Sequence, residues 1–197
     1  MKTKLLVLIV LSNATCFAQT ARDYFFPASG KNLSVYVLKG IPGISKDGEK
    51  KLVYFKDMGD SALITTVYSE GQMKWKEELV KIEDSKIYLN HVKTDIYGAS
   101  TYRPDEMILL KIPADGKSSS ENISKGNIKR SLKAEFLAIN IDGEEKKALK
   151  ITQSFKMATY SEYYVQGIGL YKHTSGNGTQ LELLTDQKYQ RHPPKLK

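Results

Sequence analysis

The sequence predicts an all-β fold, a strongly curved antiparallel sheet forming an open or incomplete barrel, with room for a minor helix. Three observations carry this. Ile128, Leu132, Ala134, Phe136 and Ala138 share one parity while Lys129, Ser131, Lys133 and Glu135 share the other. After Asp142-Gly143, a two-residue hairpin signal, Leu149, Ile151, Phe155 and Met157 again oppose Lys150, Thr152, Ser154 and Lys156. One apolar and one wet face is the pattern of an antiparallel sheet around a core. The third observation is the tyrosine-rich stretch from Tyr160 to Lys172, followed by the turn Ser175-Gly176-Asn177-Gly178 and a closing strand at Leu181-Glu182-Leu183-Leu184.

In the tyrosine-rich stretch, Tyr163 and Val165 lie on one parity and Ile168 and Leu170 on the other. A bulge near Gly167 reconciles the halves, because one added residue flips the facing of everything after it and glycine tolerates the backbone angles required. Gly167 and Gly169 are therefore predicted as a structural bend within one strand. Adjacent strand positions send Tyr163 and Tyr164 to opposite faces.

The chain opens with Lys2 and Lys4, the apolar run Leu5 to Leu11 and the small-residue end Cys16-Phe17-Ala18. This is the order of a secretory signal peptide, residues 1–18, and the run is too short to cross a bilayer. A lipoprotein signal would place a leucine-like residue three places before the cysteine, where Asn13 stands. Cleavage after Ala18 removes Cys16, the only cysteine. The expectation is then a single antiparallel β domain over 19–187, a flexible basic tail over 188–197, no transmembrane span, and an exported protein that is periplasmic, outer-membrane-associated or extracellular.

Taken in order, Tyr24-Phe25-Phe26-Pro27 forms an aromatic cluster expected over one mouth of the core. Leu33 to Leu38, Leu52 to Phe55, Ala62 to Tyr68, Ile87 to Val92 and Met107 to Ile112 read as strands from their β-branched and aromatic residues, bounded by glycine, proline and aspartate. Between Gln72 and Asp84 the residues fit two patterns: Met73 and Trp75 alternate with Lys74 and Lys76, while Trp75, Leu79 and Ile82 share a helical face. Neighbouring strands favour β. Ala114 to Gly126, with Asp115-Gly116 and Ser118-Ser119-Ser120, reads as a flexible loop.

Formal net charge is +8, but the basic residues are dispersed in pairs such as Lys50-Lys51 and Lys146-Lys147 among acidic ones. A nucleic-acid binder concentrates its positive charge, so no nucleic-acid partner is expected. His91, His173 and His192 are widely spaced and no His-Glu-x-x-His or Gly-x-Ser-x-Gly motif occurs, so no metal ligands and no catalytic residues are assigned. Gly167-Ile168-Gly169 lacks the third glycine and the following helix of a dinucleotide fingerprint, and no cofactor is expected. The 12 tyrosines and Trp75 either fill the core or line a ligand groove, for which Trp75, Tyr163 and Tyr164 are the candidates.

Tyr24-Phe25-Phe26-Pro27 at the start and Tyr163-Tyr164-x-x-Gly167-Ile168-Gly169-Leu170-x-Lys172 near the end resemble a group of small secreted bacterial β-proteins of unknown function, TapB-like and related domains. The resemblance implies a highly curved antiparallel sheet like the open barrels of periplasmic lipoprotein carriers, with a concave apolar face and no catalytic residues. Three functions follow as expectations. The first is a non-enzymatic secreted or envelope binding module whose concave face holds an apolar or amphipathic ligand or a partner segment. The second is a structural or protein-interaction component of the envelope without a small-molecule ligand. The third is an envelope polysaccharide hydrolase, which requires convergent carboxylates in a cleft.

Overall fold

The computed structural model describes residues 19–28, 31–38, 48, 50–68, 75–94, 98–101, 107–125, 128–156, 158–176 and 178–183. The expected signal peptide, 1–18, and the expected tail, 188–197, lie outside these residues. The elements are α1 (Ala21–Phe25), β1 (Leu33–Leu38), β2 (Lys50–Asp57), β3 (Ser61–Tyr68), β4 (Trp75–Ile82), β5 (Lys86–Thr94), β6 (Gly98–Thr101), β7 (Ile108–Lys111), β8 (Ser118–Lys125), β9 (Ile128–Ile141), β10 (Glu144–Phe155), β11 (Thr159–Val165), β12 (Gly169–Ser175) and β13 (Gly178–Leu183).

All the strands join one antiparallel sheet in the order β6-β5-β4-β3-β2-β1-β13-β12-β11-β10-β9-β8, with β7 paired to β5 off this path. Along this path neighbours in the sheet are neighbours in sequence except where β1 meets β13, with Tyr36 opposite Leu183 and Leu38 opposite Leu181. The sheet is open and strongly curved. Its two ends approach without backbone pairing among the described residues, and side chains span the seam. Arg130 of β9, 4% exposed, donates to Gln153 Oε1 and, at 3.0 Å, to the Ile108 carbonyl of β7. Lys111 Nζ meets Glu121 Oε2 at 2.6 Å across the same seam.

The long β9–β10 hairpin forms where the alternation predicts it. Asp142 (φ 53°) and Gly143 (φ 86°) make its two-residue turn, and Leu132, Ala134, Leu149 and Ile151 are buried on the inner face. Within the ambiguous stretch, Trp75–Ile82 is β4, as its neighbours indicate, and residues 72–74 lie outside the described residues.

Three expectations change. Residues 118–125 are an edge strand, β8, and not part of a loop. Every residue of it pairs with β9, from Ser118 opposite Glu135 to Lys125 opposite Ile128, and Ile123 is buried. The order comes from the partner strand, which composition does not register.

Nor is Tyr160 to Lys172 one bent strand. The chain reverses at residues 166–168, and Val165 pairs with Gly169 across the turn. Gly167 (φ 71°) and Gly169 (φ 83°) supply its left-handed angles. A bulge does exist, but on β12: Tyr163 faces Lys172 while Tyr164 faces Leu170, leaving Tyr171 as the extra residue.

The aromatic cluster, third, is built on a helix. Thr20 caps α1 in a capping box with Asp23, its backbone N–H donating to Asp23 Oδ2 at 2.9 Å. Five residues cannot sustain a helix alone; burial does it here. Tyr24 is fully buried with its ring 5.6 Å from Phe136, and Phe25 stacks on Tyr164 at 5.7 Å. Backbone bonds pin the helix to two turns at one end of the sheet: Ala21 N–H to the Asp84 carbonyl at 2.7 Å, and Gly167 N–H to the Asp23 carbonyl at 2.8 Å. The predicted position over one mouth of the core is therefore met, with two of the rings driven inside.

The two glycines differ in a measurable way. A Cβ at Gly169 would stand 3.1 Å from the Phe25 carbonyl oxygen and 3.3 Å from Pro27 N, whereas at Gly167 the nearest atom is Ala28 Cβ at 3.9 Å. Both substitutions meet left-handed strain, but only Gly169→Ala also pushes α1 off its seat. Gly167→Ala should cost about 1 kcal/mol and Gly169→Ala at least ~2 kcal/mol, read as the difference in urea midpoints.

Candidate functional site

Strand alternation divides the interior of the sheet into two ends. Towards α1, the inner face is apolar: Val53, Ile64, Val80, Ile87, Leu110, Leu149 and Tyr164 belong to one buried cluster with Tyr24 and Phe25. The concave apolar face expected from the sequence exists, and the protein's own side chains fill it.

At the opposite end the inner positions turn polar. Lys51 shares its face with Val53 and Phe55, and Lys76 and Glu78 share theirs with Val80. Glu162 stands between Tyr160 and Tyr164 on β11, with His173 of β12 opposite. Most of these groups have partners at contact distance. Lys76 Nζ lies 2.8 Å from Glu78 Oε1. Tyr164 Oη donates to Glu162 Oε2 at 3.0 Å, and His173 Nδ1 lies 3.4 Å from Glu162 Oε1. The Tyr160 ring stacks on His173 at 5.3 Å and on Phe155 at 5.8 Å.

Burial governs how these groups titrate. The Tyr164 phenol is raised well above its ordinary range, by burial first and then by the Glu162 carboxylate. Tyr160 is pushed up to about 12 by the same two causes against the opposing pull of Arg130. Lys51 goes the other way, down to about 8: burial disfavours its charge, Lys76 repels it, and the attraction of Glu78 and Glu162 recovers only part.

The three groove candidates do not converge. Tyr164 points inward and is buried, whereas Tyr163 lies on the outer face, half-buried beneath the Lys150 ammonium at 5.8 Å. Trp75 opens β4 opposite Val67, and its indole lies outside the described residues. Gly167 and Gly169 form the hairpin described above.

A hollow that the sequence reading missed opens beside α1, with a volume of about 760 Å³. Its apolar wall is Phe26 and Phe55, whose rings meet edge-to-face at 5.7 Å, together with Pro27. Its rim carries Arg22, Asp57 and Lys31. Arg22 is committed: it donates to Asp57 Oδ2 and the Gly59 carbonyl, and its guanidinium sits 5.6 Å from the Phe26 centroid. Asp57 is held below the usual carboxylate range, first by its hydrogen bond from Arg22. Lys31 is exposed, and its ammonium makes no hydrogen bond or ion pair with other described residues. A second hollow of about 370 Å³ adjoins across Pro27, Lys31 and Gly167, walled by Leu33, Ile141 and Ile168. The only sequence signal for the first hollow was the Phe26-Pro27 pair, which alternation does not address.

Among the described residues, no three His, Cys, Asp or Glu side chains gather as a metal-binding group, and no helix is long and apolar enough to cross a membrane. These features define the class: an all-β protein with a single open, curved sheet, one end filled and capped by a short helix and the other lined with charge. No protein-family model matches the chain, and neither a curated protein nor a solved structure gives a match.

The depressed Lys51 makes a prediction with a definite sign. Its folded value lies below its unfolded one, so the protonated amine opposes folding below about pH 8, and that cost disappears as pH rises towards the unfolded value. Lys51→Met should therefore stabilise the protein by about 1–3 kcal/mol near neutral pH, with the gain shrinking through the alkaline range. Denaturant midpoints of both proteins across pH measure it.

Proposed function

We propose that the protein is a non-enzymatic binding module, secreted or in the cell envelope, that holds a small amphipathic ligand in the hollow beside α1. The single observation that carries this reading is the hollow itself. At about 760 Å³ it falls within the size range of small-molecule sites, and it pairs an aromatic wall with a rim cation left without a partner among the described residues. The concave face of the sheet is not available for this purpose, because the core cluster and α1 occupy it. The ligand's apolar part lies against Phe26 and Phe55, and an anionic end reaches Lys31.

Arg22 contributes by position more than by charge. Its bonds to Asp57 and to the Gly59 carbonyl tie α1 to the β2–β3 turn, and its stacking on Phe26 fixes that ring as a wall. The site is thus pre-organised at the cost of one exposed ion pair, which itself contributes little stability.

Calorimetric titration of the mature protein with laurate, and with a neutral lauryl analogue, tests the proposal. Saturable binding of laurate is expected. Phe55→Ala should weaken both ligands about tenfold or more, since burying one aromatic ring is worth about 1.5–3 kcal/mol, and Lys31→Glu should weaken laurate alone. Folding of each variant is checked by its urea midpoint. Absence of binding would leave the second expectation, a structural or protein-interaction component of the envelope, as the better account.

A further inference from the structure

We infer that the ligand of the hollow beside α1 carries two apolar arms on one anionic head, the chemistry of a two-chain anionic lipid, and that its second arm lies in the smaller hollow across Pro27. The inference rests on the binding-module reading above and names the class of ligand that the site takes.

A fixed ridge parts the two hollows. The Ala28 N–H donates to the Gly167 carbonyl at 2.7 Å and the Lys31 N–H to the Ala28 carbonyl at 3.0 Å, so the position of Lys31 is tied through Ala28 to the β11–β12 turn. Pro27, Lys31 and Gly167 line both hollows. A head placed on the Lys31 ammonium therefore has an apolar recess on either side of it. One is the Phe26 and Phe55 wall already described.

The other recess opens where β13 stops. Its last described pair with β1 is Leu183 with Tyr36, whereas β1 runs back to Leu33 with only β2 beside it among the described residues. Two apolar clusters separate from the main core reach this recess. Leu33 belongs to the one built with Val35 and Leu52, while Ile141 and the half-buried Ile168 belong to the one built with Ala148 and Val165. An apolar arm laid in the roughly 370 Å³ between them covers both at once.

Charge decides what can enter. Asp142 and Glu144 also stand on this recess, and Lys146 is engaged by Glu144 at 2.7 Å. A second anionic group there would meet two carboxylates and no cation outside that pair except Lys31, which the head already takes. The arm is accordingly uncharged, and the head has one place to sit. Joining both arms to one head also makes burial of the second intramolecular, so it strengthens binding without a second loss of overall freedom.

Calorimetric titrations of the mature protein with dihexanoyl phosphatidate, hexanoyl lysophosphatidate and laurate, each below its micelle concentration, test the inference. The two phosphate lipids share a head and differ by one arm. The two-arm lipid should bind about tenfold or more tighter, the gain from burying about two further methylene groups. In proton–nitrogen NMR spectra it should give saturating shifts at the amides of Ile141 and Ile168 together with those of Phe26 and Phe55. Ile168→Ser should abolish its advantage and leave laurate binding unchanged, with folding checked by the urea midpoint; the NMR titration needs no variant. Equal affinity for the two phosphate lipids, an advantage that survives Ile168→Ser, or shifts confined to Phe26 and Phe55, as expected if another part of the chain or a protein partner takes the second recess, would each overturn the inference. Saturable laurate binding beside such a result would leave the single-arm reading standing, and binding of none of the three would remove both.

Discussion

The pairing of β1 with β13 is the contact on which the rest of the sheet depends. Apart from β7, which pairs with β5, every other neighbour in the sheet is also a neighbour in sequence, so β1 to β6 and β8 to β13 are two meanders that local hairpins can build. Neither meander has a second layer of its own. Only when Tyr36 comes opposite Leu183, and Leu38 opposite Leu181, do the two inner faces turn towards each other and enclose a common core. That contact closes most of the length of the described chain, so its loop-closure entropy is met late, after the hairpins have removed much of the chain's freedom. The seam at the other side is consequently light. Two side-chain links, Arg130 to Ile108 and Lys111 to Glu121, join it where no backbone ladder runs among the described residues.

A sheet curved this far must still fill its interior, and the two ends solve that problem differently. At one end a helix of five residues adds Tyr24 and Phe25 to the rings of Phe136 and Tyr164 that the strands supply. The helix has too few residues to be stable on its own, so its existence and the packing of that end are one event. At the other end the inner positions carry Lys51, Lys76, Glu78, Glu162 and His173, which remain tolerable because they are only partly buried and mostly paired. Apolar filling at one end and paired charge at the other leave the hollow beside α1 as the place where a ring wall meets solvent.

Legibility in the sequence follows the same physics. The β9–β10 hairpin was legible because long strands with one wet face write their alternation plainly, and Asp142-Gly143 marks the turn. β8 was not, because Ser118-Ser119-Ser120 has the composition of a loop and only pairing with β9 makes it a strand. Reversal and bulge produce the same parity switch in a string of letters, so Gly167 could be read as either; the register of Val165 with Gly169 decides. The helix left one usable trace, Thr20 with Asp23 three residues on, too short for periodicity to support. The inner charges were hidden by the rule that exposed the strands: Lys51 alternates with Val53 and Phe55, and a strand pattern read as apolar-in and polar-out has no place for it.

Tyr164 shows how the two ends constrain each other. Its ring lies against Phe25 and so forms part of the seat of α1, while its hydroxyl is spent on Glu162 in the polar half. Burial alone would let the ring rotate or slide within the apolar cluster; the hydrogen bond fixes where its edge points. The bulge at Tyr171 serves the same geometry, because without the extra residue Leu170 and His173 could not both face inward from one strand. Gly169, immediately before, lets the chain pass close beneath Phe25 and Pro27. The glycines, the bulge and the buried tyrosine are thus one device, which places a helix at one mouth and a carboxylate at the other from fewer than ten consecutive residues.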